Sequence, residues 1–208
     1  MVTIIDYGAG NIKSVERAFA ELGVKTLVTA DPAQVRKGGK LVFPGVGAAP
    51  QAMDNLHRTS LGAVIKQAFA AGTPILGICI GAQVALGSSE EGDTPCLGLI
   101  PGKTVRFRLS DPRLKVPHMG WNEVCAVKSH PLLDGIKPGD EFYFVHSYYP
   151  QPASLEHVYA LSDHGGDFCC AIGLRNLFAT QFHPEKSGRL GLQLLERFVK
   201  WDGGQRGA

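Results

Sequence analysis

The sequence predicts an α/β fold: a mixed, mostly parallel central sheet with helices on both faces and extra antiparallel strands in the C-terminal half. Three observations predict it. Short apolar runs alternate with helix-patterned stretches through residue 100, the signature of parallel strands joined by crossover helices. After residue 100 short strand-like runs dominate. A cysteine flanked by glycines, Gly77-Ile78-Cys79-Ile80-Gly81, stands between an expected strand and an expected helix.

The elements follow in order. Val2 to Ile5 is a compact apolar run closed by Asp6 and a glycine turn. Ile12 to Leu22 reads as a helix with Val15, Phe19 and Leu22 on one face, ended by Gly23. Val24 to Val28 and Lys40 to Phe43 read as strands, and Pro44 to Pro50 as a Gly/Pro-rich loop. Ala63 to Ala71 is helical, Pro74 to Ile78 a buried strand and Ile80 to Leu86 a short helix. Strand-like runs then occupy Thr104 to Phe107, Glu123 to Val127, Glu141 to Tyr149, Val158 to Ser162, Cys169 to Leu174 and Leu177 to Phe182. Arg175-Asn176 suits a hairpin turn between the last two. Leu190 to Trp201 closes the chain as a helix with Leu194, Leu195 and Phe198 on its apolar side. One domain over 1–202 and a frayed tail over 203–208 are expected.

Composition narrows the function. The 208 residues are 44% hydrophobic and 19% charged, enough to bury an ordinary core. A net charge of +2 without a basic run gives no footprint for nucleic acid or a membrane surface. Five scattered cysteines, with no C-x-x-C and no zinc-type histidine spacing, read as reduced thiols of a cytoplasmic protein without a metal. The start shows no basic leader and no apolar core of a signal peptide. Gly8-Ala9-Gly10 with Asp31 resembles a dinucleotide fingerprint, but Lys13 stands at its third glycine, so no such cofactor is expected.

The chemistry centres on Cys79. A G-x-nucleophile-x-G turn is sharp, and small neighbours let it close. It lifts the sulfur to the carboxyl edge of the sheet and onto a helix N-terminus, which favours thiolate. The bland alternative is a buried structural cysteine, which is what Cys96, Cys125, Cys169 and Cys170 resemble. A cysteine nucleophile needs a base and an orienting group. His183-Pro184-Glu185 follows an expected strand and supplies both within three residues. Pro44-Gly45-Val46-Gly47 also follows a strand and can turn backbone N–H groups towards an oxyanion, although an isolated P-G-x-G is more often a plain surface turn.

Together these residues resemble the class I (triad) glutamine amidotransferases, and most of all the glutaminase subunits of imidazole glycerol phosphate synthases. The resemblance runs nearly end to end. The G-I-C-x-G-x-Q turn of Gly77 to Gln83 and the H-P-E of His183 to Glu185 mark the superfamily. Asp6 to Asn11 and Val116 to Asn122, with its H-M-G-W-N, mark the subfamily. They speak against a glutaminase of another pathway, such as the pyridoxal phosphate synthase partner. The resemblance implies the three-layer class I amidotransferase fold and no cofactor. It implies Cys79 as nucleophile, His183 as proton shuttle and Glu185 as its orienter. It implies Gly45, Val46 and Gly47 at the oxyanion, and Gly47, Gln83, Ser147 and Tyr148 around L-glutamine. A second subunit, a (β/α)8-barrel cyclase, is implied in a heterodimer, with Asn11, Met119, Trp121, Tyr143 and Lys186 expected towards it. Ile80 and Ala82 depart from the Leu and Met more usual in the family.

Overall fold

Alternating side chains along each central strand feed two separate cores, and this makes three layers. The computed structural model describes residues 1–8 and 10–204. Its first half contains β1 (Val2–Ile5), α1 (Ile12–Glu21), β2 (Thr26–Thr29), α2 (Pro32–Arg36), β3 (Leu41–Gly45), α3 (Ala49–Arg58), α4 (Leu61–Ala70), β4 (Ile75–Cys79) and α5 (Ile80–Val84). There follow β5 (Ser88–Ser89), β6 (Thr94–Pro95), β7 (Gly102–Arg106), β8 (His118–Glu123), β9 (Cys125–Ala126), β10 (Glu141–His146) and β11 (Tyr148–Pro152). The last elements are β12 (Val158–Asp163), β13 (Asp167–Leu174), β14 (Leu177–Thr180) and α6 (Gly188–Lys200).

The main sheet has the order β2-β1-β3-β4-β14-β13-β12-β9. From β2 to β14 every pairing is parallel, and from β14 to β9 every pairing is antiparallel. Leu41, Phe43, Ile75, Leu177 and Ala179 face a core shared with Leu56, Leu61 and Ile65 of α3 and α4. Val42, Leu76, Ile78 and Phe178 face the other core, with Val15 and Phe19 of α1 and Leu194, Leu195 and Phe198 of α6. Two smaller sheets, β10-β8 and β11-β7-β5-β6, complete the fold, and residues of β10 and β11 line the cleft at Cys79. No helix among the described residues is long and apolar enough to cross a membrane.

The differences from expectation are local. The expected run Glu141 to Tyr149 breaks at Ser147 into two strands of different sheets, β10 and β11. The loop from Pro44 divides: Pro44 and Gly45 complete β3, while Ala49 and Pro50 open α3, where proline suits a first turn. The run expected at Glu123 to Val127 takes in the last residue of β8 and the short β9, while most of β8 lies earlier. The hairpin turn is as expected, with Leu174 opposite Leu177 and Arg175 at φ 54°. Gly203 and Gly204 of the expected tail fold back, Trp201 Nε1 donating to the Gly204 carbonyl at 2.6 Å, and residues 205–208 lie outside the described residues.

Candidate active site

Cys79 ends β4 and opens α5 at φ 54° and ψ −104°, a left-handed backbone that a non-glycine residue adopts only where the surroundings enforce it. The glycines make that possible. A Cβ on Gly77 would lie 2.8 Å from the Ala179 Cβ, and one on Gly81 would overlap the Phe43 carbonyl. Ile80 and Ala82, the two departures from the family pattern, are both buried in the core beside it. Cys79 is 4% exposed, and Gln181 Nε2 donates to its sulfur at 3.5 Å.

His183 follows β14, the parallel neighbour of β4, so His183 and Cys79 share one sheet edge. It is fully buried, and its backbone N–H donates to the Tyr143 carbonyl at 2.9 Å. Its Nδ1 is 2.7 Å from Glu185 Oε1. A carboxylate only accepts, so Nδ1 carries the proton and Nε2, which has no hydrogen-bond partner among the described residues, is left for the sulfur. Burial opposes a charge on the ring, but Cys79 and then Glu185 outweigh it and raise the imidazole to about 9. Glu185 Oε1 also accepts from Asn11 Nδ2 at 2.7 Å. Asn11, expected towards a partner, is thus buried behind the carboxylate.

A cleft of about 250 Å³ opens at the sulfur, lined by Val46, Gly47, Gln83, Ser147 and Tyr148 among others. All five were named from sequence; Glu91 and His146, which also line it, were not. Gln83 Nε2 donates to the Tyr148 carbonyl at 3.0 Å and to Gln181 Oε1 at 3.1 Å. Glu91 Oε2 accepts from the Ala49 N–H at 2.7 Å, which anchors the far end of the Pro44 to Gly47 segment. Gly45 stands opposite Cys79 in the β3·β4 register, and the Tyr7 hydroxyl occupies the space a side chain there would need. Gly47 takes φ 107°, open to glycine alone without strain. A larger groove, of 580 Å³, lies between α1 and α6 and reaches Glu185 from behind, but it contains no nucleophile.

Met119 and Trp121 project from β8 at 63% and 54% exposure. Trp121 meets Tyr143 edge-on at 6.1 Å, and Lys186 Nζ lies 5.7 Å from the centre of the Tyr143 ring. Four of the five residues expected towards a partner therefore form one surface beside the His183 to Ser187 turn.

Cysteine, imidazole and carboxylate in this order, at the carboxyl edge of a parallel sheet, can carry out nucleophilic acyl transfer. The family model "Glutamine amidotransferase class-I" matches residues 3–201. Imidazole glycerol phosphate synthase subunit HisH of Aromatoleum aromaticum is 49% identical over 96% of this chain and 98% of its own length. The subunit HisH of Chromobacterium violaceum is 49% identical over 97% and 98%. Among solved structures, PurLQS from Thermotoga maritima matches with a TM-score of 0.72 at 15% identity, covering 96% of each chain. The glutaminase domain of Trypanosoma brucei CTPS with bound acivicin matches with a TM-score of 0.68 at 17% identity, over 97% of this chain and 94% of that one. The chain belongs to the class-I glutamine amidotransferases and, within them, to the HisH subunits of imidazole glycerol phosphate synthase.

Proposed function

We propose that this chain is the glutaminase subunit of an imidazole glycerol phosphate synthase, working in histidine biosynthesis with Cys79, His183 and Glu185 as its triad. The observation that carries the assignment of residues is the buried line of sulfur, His183 and Glu185 at the edge shared by β4 and β14. Cys79 passes its thiol proton to His183 Nε2, and its sulfur attacks the side-chain amide carbon of glutamine. His183 gives its Nε2 proton to the departing nitrogen, so ammonia leaves and a glutamyl thioester remains. The neutral imidazole then takes a proton from water, whose oxygen displaces the sulfur and frees glutamate. Glu185 holds the ring in the required tautomer. Backbone N–H groups of Val46 or Gly47, with that of Ile80 after the nucleophile, face the oxyanion. Gln83, Ser147 and Tyr148 hold the substrate.

Ammonia passes to a second subunit, a (β/α)8-barrel cyclase, which forms imidazole glycerol phosphate and a purine precursor. The surface of Met119, Trp121, Tyr143 and Lys186 docks it: large exposed apolar side chains beside a cation are suited to a protein contact. Free hydrolysis would waste glutamine, and the glycines of the Pro44 to Gly47 segment let a peptide turn cheaply between a resting and a donating state. One oxyanion donor is worth about 3–4 kcal/mol, or roughly a hundred- to a thousand-fold in rate. Glutamine hydrolysis by the chain alone, with the barrel protein, and with the barrel protein plus an analogue of its substrate tests this. Activity is expected to rise at each step, and full activity in the isolated chain would sink the scheme.

A further inference from the structure

Two buried histidines take no part in the reaction just described. His118 and His146 face each other across the β8·β10 register, each 5% exposed. His146 lines the glutamine cleft, while His118 belongs to the strand whose outward residues are Met119 and Trp121.

They lie on one hydrogen-bonded line. Asn122 Nδ2 is 3.1 Å from His118 Nε2, His118 Nδ1 is 2.9 Å from His146 Nε2, and His146 Nδ1 is 2.9 Å from the Tyr148 carbonyl. Both ends fix the direction. The Asn122 amide is oriented by its own contacts, Oδ1 accepting from the Glu123 N–H at 2.9 Å and Nδ2 donating to the Asp163 carbonyl at 2.7 Å. Nδ2 therefore donates to His118, whose Nε2 accepts and whose Nδ1 carries the proton. The Tyr148 carbonyl only accepts, so His146 carries its proton on Nδ1 and accepts at Nε2. One pair of tautomers, both neutral, satisfies all three contacts. Burial favours that state, lowering His118 to about 4 and His146 to about 3.

The line does not stop at Tyr148. The same carbonyl accepts from Gln83 Nε2, which also donates to Gln181 Oε1, and Gln181 Nε2 donates to Cys79 sulfur. His164 stacks on His118 at 4.3 Å, but its Nε2 binds the Lys115 carbonyl and all four nitrogens of the pair are committed. The cluster is therefore a chain of donors and not a set of free ligands for a metal.

We propose that His118 is a positioning residue for the glutamine site: oriented by Asn122, it holds the ring of His146 in place by donating to its Nε2, and His146 holds the Tyr148 carbonyl and, through it, Gln83. This deepens the glutaminase reading and rests on it. Without the His118 proton, His146 Nε2 becomes a buried acceptor with no donor, and the ring shifts in search of one, drawing its Nδ1–H and the Tyr148 carbonyl away from Gln83. A purely packing role makes a different demand. His118 is surrounded by Phe107, Phe144 and Phe168, and a phenylalanine would fill that place.

The test uses acivicin, an electrophilic glutamine analogue, on the full chain, with labelling of Cys79 followed by intact and peptide mass spectrometry. The dependence of rate on concentration separates half-saturation from limiting rate. His118→Phe is expected to raise half-saturation about 10-fold or more, the cost of leaving a buried acceptor unpaired. Its limiting rate should stay within about 3-fold. His118→Asn, which keeps a donor near the Nδ1 position, should recover most of the loss. If His118→Phe does not fold, Asn122→Leu takes its place, with both rings intact and a rise of about 3- to 10-fold expected. Half-saturation unchanged in the tested variant, or an asparagine variant as poor as the phenylalanine one, overturns the proposal. Wild-type chain that does not label at Cys79 even with the barrel protein and an analogue of its substrate present overturns the glutaminase reading and this proposal with it.

Discussion

Asn11 offers the sharpest test of the triad geometry. Asparagine is a favoured N-cap, and Asn11 sits at the N-cap of α1, yet its side chain caps nothing and reaches Glu185 Oε1 at 2.7 Å instead. Asn11→Ala removes a hydrogen bond to a buried carboxylate, worth about 1.5–3 kcal/mol. Glu185 then holds His183 with one restraint fewer, and turnover should fall about 10- to 100-fold if the contact is fully used in the transition state. Stability should fall by no more than that hydrogen bond is worth, because no cap is lost with it. Asn11→Asp is predicted to be worse despite its equal size. Two carboxylate oxygens at that separation repel by about 6 kcal/mol at an effective dielectric of 20, enough to make the pair share a proton at neutral pH. The assay is glutamine hydrolysis in the assembled complex, paired with acivicin labelling of the chain alone, so that docking and chemistry separate. An alanine variant within twofold of wild type in both assays, or an aspartate variant better than alanine, refutes the reasoning.

Cys79→Ala should abolish glutamine-dependent synthesis by the complex and leave ammonia-dependent synthesis intact; loss of both, measured with added ammonium salt, contradicts the division of labour. A small alkylating agent near neutral pH should label Cys79 first and exposed Cys125 more slowly. Burial holds the Cys96 thiol at about 11 and the Cys169 thiol at about 12, so peptide mapping should find both unmodified. His183→Ala should cost far more turnover than Glu185→Ala, because the first removes the proton shuttle and the second only its orientation; equal losses would give Glu185 a larger part. Gly81→Ala should lower the melting temperature by about 2–12 °C, since its Cβ meets the Phe43 carbonyl and overpacking costs about 1–3 kcal/mol; an unchanged melt would mean that the turn relaxes freely.

The parts legible in the sequence were those written in local pattern. The strand Val2–Ile5 and the turn around Cys79 carry their own signals: an apolar run bounded by turn residues, and glycines where a side chain would collide. Residues 49–58 did not read as a helix, because α3 begins with a proline and lies against a loop rich in glycine and proline. The break at Ser147 was hidden inside a continuous β-prone run, since strand formers do not say to which sheet they belong. Within the candidate site, Cys79, His183 and Glu185 were legible as motif residues. Gln181 and His146 were not, because an interior glutamine or histidine earns its meaning only from partners far along the chain.

The pairing of β4 with β14 has a consequence for the making of the protein. The strand that ends in the nucleophile is complete long before the strand that leads to the base, and the two become neighbours only when β14 slots in beside β4. Until then Cys79 has no imidazole beside it, and its turn lacks Ala179 and Gln181, which pack against Gly77 and the sulfur. A nascent or truncated chain ending before β14 therefore has a sulfur but no means of moving protons. Under the proposed roles, closing of the sheet by the last strand is a precondition of ammonia release, so a half-made molecule is expected to release none.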